Sequence, residues 1–181
     1  MYSVFLGLKL YELPPSGPFF PVTPSTTVNM SHNGDPVILS SSSPGLANYP
    51  QARSVLPSHG TKTLYISGIT SRLADGTLAG VHTDSTDGST TLDVAEQTSA
   101  ILGNLEAIIK EASNGRGGLE NVVDVTIFLI DLGTNYAGMN EVWNKTWTTR
   151  EAAPARTCVG VNELPSPKLV VEFKATALIE I

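Results

Sequence analysis

Between Leu92 and Ser113 the apolar residues Val94, Ile101, Leu102, Leu105, Ile108 and Ile109 recur at steps of three and four, with Glu96, Gln97, Asn104, Lys110 and Glu111 at other positions. That spacing predicts a helix with one buried stripe. The run Asn114-Gly115-Arg116-Gly117-Gly118 predicts its end, because Asn and Gly tolerate the left-handed backbone that terminates helices. A second helical pattern from about Tyr136 to Thr148 puts Met139, Val142, Trp143 and Trp147 on one side. Elsewhere the period is two. Leu64 to Thr70 is short, β-branched and bounded by His59-Gly60 and Asp75-Gly76, which predicts a strand, with Thr77 to His82 as its hairpin partner. Val122 to Ile130 and Arg156 to Val161 predict two more. In a last strand, Leu169 to Ile179, Leu169, Val171, Phe173, Ala175 and Ala177 share one face and Val170, Glu172, Lys174, Thr176 and Leu178 the other.

The order is β-β-α-β-α-β-β, an α+β arrangement. Each helix is apolar along only one stripe, so both are expected on one face of a single sheet. The far face then keeps apolar members uncovered, which points to self-association. Before this domain, which is read as residues 36–181, the pattern fails. Pro14, Pro15, Pro18, Pro21 and Pro24 crowd the first segment, and residues 1–35 read as a flexible tail. Pro36-Val37-Ile38-Leu39 is compatible with a short strand.

Charge and cysteine usage narrow the classes. Eleven Lys+Arg stand against 17 Asp+Glu in 181 residues, a net charge of -6, so no basic surface is in view for counter-ion release, and nucleic acid is not an expected partner. One Cys, Cys158, forms no internal disulfide, and three scattered His have no zinc-ligand spacing. No run approaches 18 apolar residues, and the start lacks a cationic, cleavable leader. A cytoplasmic, metal-free protein without membrane contact is the expectation.

Two segments carry candidate chemistry. In Pro154-Ala155-Arg156-Thr157-Cys158-Val159 an extended chain projects Arg156 and Cys158 on one face, a guanidinium fork beside a small polarisable group. This suits a carboxylate ligand; a surface ion pair for Arg156 and a core role for Cys158 stand as the alternative. Glu172 interrupts the apolar run Leu169-Val170-Val171-Glu172-Phe173. Burying a bare carboxylate costs several kcal/mol, so it must be paired, protonated or exposed at a cleft. Pairing with Lys174 on the same face is the simplest structural role.

Leu64-Tyr65-Ile66-Ser67-Gly68, the Gln97 to Ala112 helix with Asn104-Leu105, Val122 to Leu129, Met139-Asn140, Pro154 to Val159 and Val171-Glu172-Phe173-Lys174-Ala175 appear in order. Together, over residues 47–179, they resemble the YjgF/RidA (reactive intermediate deaminase) family. Ser67-Gly68-Ile69-Thr70-Ser71-Arg72 and Leu164-Pro165-Ser166-Pro167 are more similar to its 2-aminomuconate deaminase branch. The resemblance implies a chorismate-mutase-like α+β subunit in a homotrimer, with sites in clefts between subunits and neither metal nor organic cofactor. It implies hydrolysis of an enamine or imine carboxylate to a keto compound and ammonia. Arg156 then matches the arginine that grips the substrate carboxylate, Glu172 the glutamate that handles water, and Cys158 a cysteine lining the pocket. Tyr49, Ser67, Gly68 and Asn140 match the remaining pocket positions, although Ala47-Asn48-Tyr49-Pro50 departs from the usual Gly-Pro-Tyr. A dicarboxylate such as 2-aminomuconate needs a second contact, for which Arg72 is the candidate and a solvated hairpin Arg the alternative. Two other readings stay open: a broad 2-iminobutanoate/2-iminopropanoate deaminase, and a trimeric binding or chaperone-like protein, since fold alone does not fix function.

Overall fold

A computed structural model describes residues 33–37, 48, 52–55 and 60–180. The expected tail falls almost wholly outside them. β1 (Asp35–Val37) and β2 (Ala52–Ser54) form a two-stranded antiparallel ladder. The central sheet has four strands in the order β3-β8-β6-β7: β3 (Thr61–Ile69), β6 (Val122–Ile130), β7 (Ala155–Val161) and β8 (Val171–Glu180). β8 pairs antiparallel with both β3 and β6, whereas β7 lies parallel to β6. A parallel neighbour needs a crossover, and α2 (Leu132–Thr146) supplies it.

The hairpin expected for Thr77 to His82 does not form with β3. β4 (Val81–Thr83) pairs instead with β5 (Thr90–Leu92), and only an isolated bridge, Arg72 to Leu78, joins the intervening turn. The physical reason lies at Gly80. It adopts φ +66°, and its carbonyl accepts from the Asp93 amide, so the chain closes onto the start of α1 (Val94–Ala112) rather than back onto β3. A Cβ there would sit 2.5 Å from the Asp93 carbonyl oxygen.

α1 starts where Asp93 accepts from the amides of Ala95 and Glu96, 2.8 and 2.9 Å away. Asp93→Ala is expected to cost about 1 kcal/mol, the usual worth of an N-cap, read as a lower urea midpoint with unchanged slope. The helix ends as expected, with Asn114 and Gly115 at positive φ. Its buried stripe holds Ile101, Leu102, Leu105 and Ile109 but begins with the fully buried Gln97. Gln97 donates to the Lys168 carbonyl and accepts from the Val170 amide, tying α1 to the entry of β8. α2 begins four residues before the expected Tyr136, although its first turn is rich in weak helix formers: the Asp131 backbone carbonyl accepts from the Thr134 and Asn135 amides, and the Thr134 hydroxyl donates to the Asp131 carboxylate at 2.7 Å.

Both helices pack on one sheet face, where Val125, Ile127, Leu129, Val171, Phe173, Ala175 and Ala177 are buried in a single core with Trp143. The other face carries Glu172, Lys174, Thr176, Phe128 and Tyr65, the last 82% exposed.

Candidate active site

Arg156 sits near the start of the edge strand β7, in register with Val125, and so projects toward the helices. Opposite it, Tyr136, Asn140 and Trp143 lie at positions i, i+4 and i+7 of α2 and share one face. Arg156 Nη1 donates to Asn140 Oδ1 at 2.6 Å, and Nη2 donates to the Tyr136 hydroxyl at 3.2 Å. The guanidinium carbon stands 4.8 Å from the Trp143 ring centroid, a cation–π contact. Trp143 is itself held: its Nε1 donates to the Asn48 carbonyl at 2.7 Å, and its ring packs on Trp147 and Phe173. Asn140, Tyr136 and Trp143 together orient the guanidinium.

Cys158 projects on the same face two residues on, in register with Ile127. Burial pushes its thiol pKa up, against the smaller downward pull of the Arg156 cation. A raised acid pKa favours the neutral thiol, so iodoacetamide labelling of Cys158 is expected to begin only above the usual cysteine range. Labelling that saturates at pH 7 as fast as free cysteine would contradict this.

Glu172 lies elsewhere. It alternates with the fully buried Val171 and Phe173 of β8 and so points to the opposite sheet face, beside Phe128 of β6. Ser67 and Gly68 approach it from β3 through a bulge: Ile66 pairs with Ala175 and Ile69 with Phe173, so one extra residue is accommodated. A Cβ on Gly68 would lie 3.0 Å from Glu172 Cδ and closer still to Oε1, which is why this position has no side chain. The ion pairs among the described residues do not include Glu172 and Lys174.

Arg72 is exposed and lines an open cleft of about 390 Å³ with Gly68, Thr70 and Asn104. Asn104 Nδ2 donates to the carbonyls of Thr70 and Arg72, at 3.0 and 2.8 Å, and so fixes the backbone that carries Arg72. Tyr49 lies outside the described residues. The expected residues thus fall into two groups within one chain: Arg156, Asn140 and Cys158 on the helix side of β7, and Ser67, Gly68, Glu172 and Arg72 around the β3–β8 edge. The sequence reading missed Tyr136 as a partner of Arg156; its place four residues before Asn140 on a helix was the available signal.

One exposed group among the described residues has metal-ligand chemistry, His82, Asp93 and Glu96, with ligand atoms within 4.8 Å of one another. Asp93 caps α1 and Glu96 pairs with His82 at 3.0 Å. These residues belong to β4 and the start of α1, which carry none of the candidate site residues. Among the described residues no helix is long and apolar enough to cross a membrane.

A family model described as endoribonuclease L-PSP matches residues 47–179. The chain belongs to this family. It is the YjgF/Rid family that the motifs resemble, and its members include a 2-iminobutanoate/2-iminopropanoate deaminase of Escherichia coli, 34% identical over 92 residues, which are 50% of this chain and 68% of that protein. A RutC family protein of Pyrococcus abyssi is 40% identical over 85 residues, 47% of this chain and 61% of its own length. The matched part thus spans about three fifths of that relative. Yeast Mmf1 is 28% identical with a TM-score of 0.51, covering 80% of this chain and 98% of its own. A Rid family protein of Yersinia pestis shares the fold, with a TM-score of 0.63 at 22% identity, again over 80% of this chain and 98% of its own. The mixed α+β fold is thus shared with solved structures of the family, which includes a protein named as an imine deaminase.

Proposed function

We propose that this chain is a cofactor-independent deaminase that hydrolyses an enamine or imine carboxylate to the keto acid and ammonia, in sites completed between copies of a homotrimer. The observation that carries the reading is the Arg156 fork, pinned by Asn140 and Tyr136 over Trp143 as a preformed carboxylate anchor. The reaction type is supported by the name of the Escherichia coli relative. The trimer is supported by the two-sided division of the site residues: in one chain Glu172 lies across the sheet from Arg156, and a second copy seated on the Tyr65 face would bring its own Arg156 to it.

The steps balance without a co-reactant. An enamine takes a proton from solvent at carbon and becomes the iminium ion, the same ion that an imine gives on protonation. Water adds to the iminium carbon as Glu172 removes one of its protons, giving the neutral carbinolamine. Glu172 returns that proton to nitrogen, the C–N bond breaks as ammonia leaves, and the carbinol hydroxyl gives its proton to Glu172, leaving the keto acid; that proton passes on to the ammonia, which departs as ammonium and restores the carboxylate. No covalent enzyme intermediate is needed, so Cys158→Ala is expected to keep kcat/KM within about fivefold of wild type.

For the substrate we favour 2-aminomuconate, whose second carboxylate Arg72 would meet beside Gly68. The Escherichia coli relative favours 2-iminobutanoate or 2-iminopropanoate instead. Ammonia release from both classes by wild type and Arg72→Ala separates the two. Loss of about tenfold in kcat/KM for aminomuconate alone supports the dicarboxylate; turnover of the imino acid only supports the broader enzyme. The net charge of -6 weighs against the ribonuclease in the family's description, and tight, salt-sensitive binding of single-stranded RNA would reverse that judgement.

A further inference from the structure

We infer that Asn104 is a positioning residue that sets how strongly the cleft beside Gly68 prefers a ligand with two carboxylates over a ligand with one. This deepens the proposed function and rests on its reading of Arg72 as the contact for the second carboxylate. The Asn104 side-chain nitrogen carries two hydrogens. It reaches two carbonyls of the chain that leaves β3, Thr70 at 3.0 Å and Arg72 at 2.8 Å. The chain bends at Ser71, so a single amide on α1 spans the bend and holds both its sides. Ser71 is turned inward and fully buried; its hydroxyl donates to the Ala79 carbonyl at 3.1 Å, and its own carbonyl accepts from the Ala79 amide at 3.0 Å. Arg72 is turned outward onto the cleft, and no ion pair among the described residues engages it.

Gly68, against which the Glu172 carboxyl lies, and Arg72 line the same cleft, with Ile69, Ala107 and Ile108 as its apolar lining. A reacting end and a cation joined by an apolar wall suit a ligand with two carboxylates and a hydrocarbon stretch between them. An exposed arginine on an unpinned bend would have to be ordered at every binding event, and that lost freedom opposes affinity. Asn104 orders the bend before the ligand arrives. Gly68 and Glu172 do not depend on it, because the pairs Ile66 with Ala175 and Ile69 with Phe173 hold the bulge from both sides. Loss of Asn104 therefore weakens the contact with the second carboxylate and spares the reacting end.

Asn104→Ala removes both donors at a helix position where alanine is favoured, and Asn104→Leu does so at nearly unchanged volume. Calorimetric titration of the full chain with 2-oxoadipate, a dicarboxylate, and 2-oxobutanoate, a monocarboxylate, reads the effect apart from turnover. For either variant the 2-oxoadipate Kd is expected to rise about fivefold, and the ratio of the two Kd values by nearly as much. Arg72→Ala is expected to raise the 2-oxoadipate Kd about tenfold, and the double variant Arg72→Ala/Asn104→Ala no further, since one residue acts through the other. Independent effects would multiply to about fiftyfold. That product, an unchanged 2-oxoadipate Kd in both Asn104 variants, or equal weakening of both ligands overturns the inference while leaving Arg72 as the contact. Loss of cooperative melting in both Asn104 variants makes the residue structural and likewise overturns it. Arg72→Ala without effect on 2-oxoadipate, or a wild type that binds neither acid, overturns the reading of the cleft, and the inference falls with it.

Discussion

Arg156→Ala is expected to lower kcat/KM by about 10³-fold, most of it through KM, because the substrate loses both charge and orientation at once. The residue is half-buried near the start of β7, and Asn140 and Tyr136, to which it donates, are α2 side chains. Removing it leaves Asn140 Oδ1 without its Nη1 donor, at a cost of about 1–2 kcal/mol, which a cooperative fold survives. A variant that melts non-cooperatively or loses its oligomeric state would show a structural residue instead. Arg156→Lys is not expected to restore activity: an ammonium keeps the charge, but it cannot reach Asn140 and Tyr136 in one plane and present a second pair of parallel donors.

Glu172→Gln is expected to lower kcat by about 10²–10³-fold with KM nearly unchanged, since the amide keeps the size of the side chain but cannot take a proton from water. The contrast with Arg156 is the useful feature. One variant loses binding and the other loses chemistry, although both belong to one reaction. Gly68→Ala supplies an independent check, because its methyl group would occupy the space of the Glu172 carboxyl and force it aside. It should reproduce the kcat loss by displacing the Glu172 carboxyl, with the residue itself unchanged. If Gly68→Ala is fully active, the carboxylate position observed beside Gly68 is not the working one.

Much of this was legible in the chain because the signals were periodic. The 3.6-residue stripe from Ile101 to Ile109 and the alternation from Val171 to Ile179 define α1 and β8, and both reflect burial against one shared core. The strand at Val122 to Ile130 matches β6 from end to end. What escaped was set by single long-range contacts. Gln97 is polar and reads as a solvent position, yet it is buried because it satisfies the backbone at Lys168 and Val170. The partner of Thr77 to His82 was misread because Gly80 turns the chain toward Asp93, a contact between residues too far apart for local pattern to reveal. At the site, Arg156 and Glu172 stood out as charged residues in apolar strands, but strand alternation alone did not say that they face opposite ways: that follows from their register against Val125 and Phe128. Tyr136 was hidden for another reason, since a tyrosine near a helix start looks like any amphipathic position until its hydroxyl is seen to meet a guanidinium.

The central claim is that Arg156 of one copy and Glu172 of another act in one site. Arg156→Ala and Glu172→Gln chains, each inactive alone, are to be unfolded together, refolded as an equimolar mixture, and assayed for ammonia release from 2-iminobutanoate and 2-aminomuconate. Random assembly pairs an intact arginine with an intact glutamate at about one interface in four, so about a quarter of wild-type activity per chain is expected on the preferred substrate. Activity no higher than that of the separate variants, from a mixture shown by mass to contain mixed oligomers, would contradict the account.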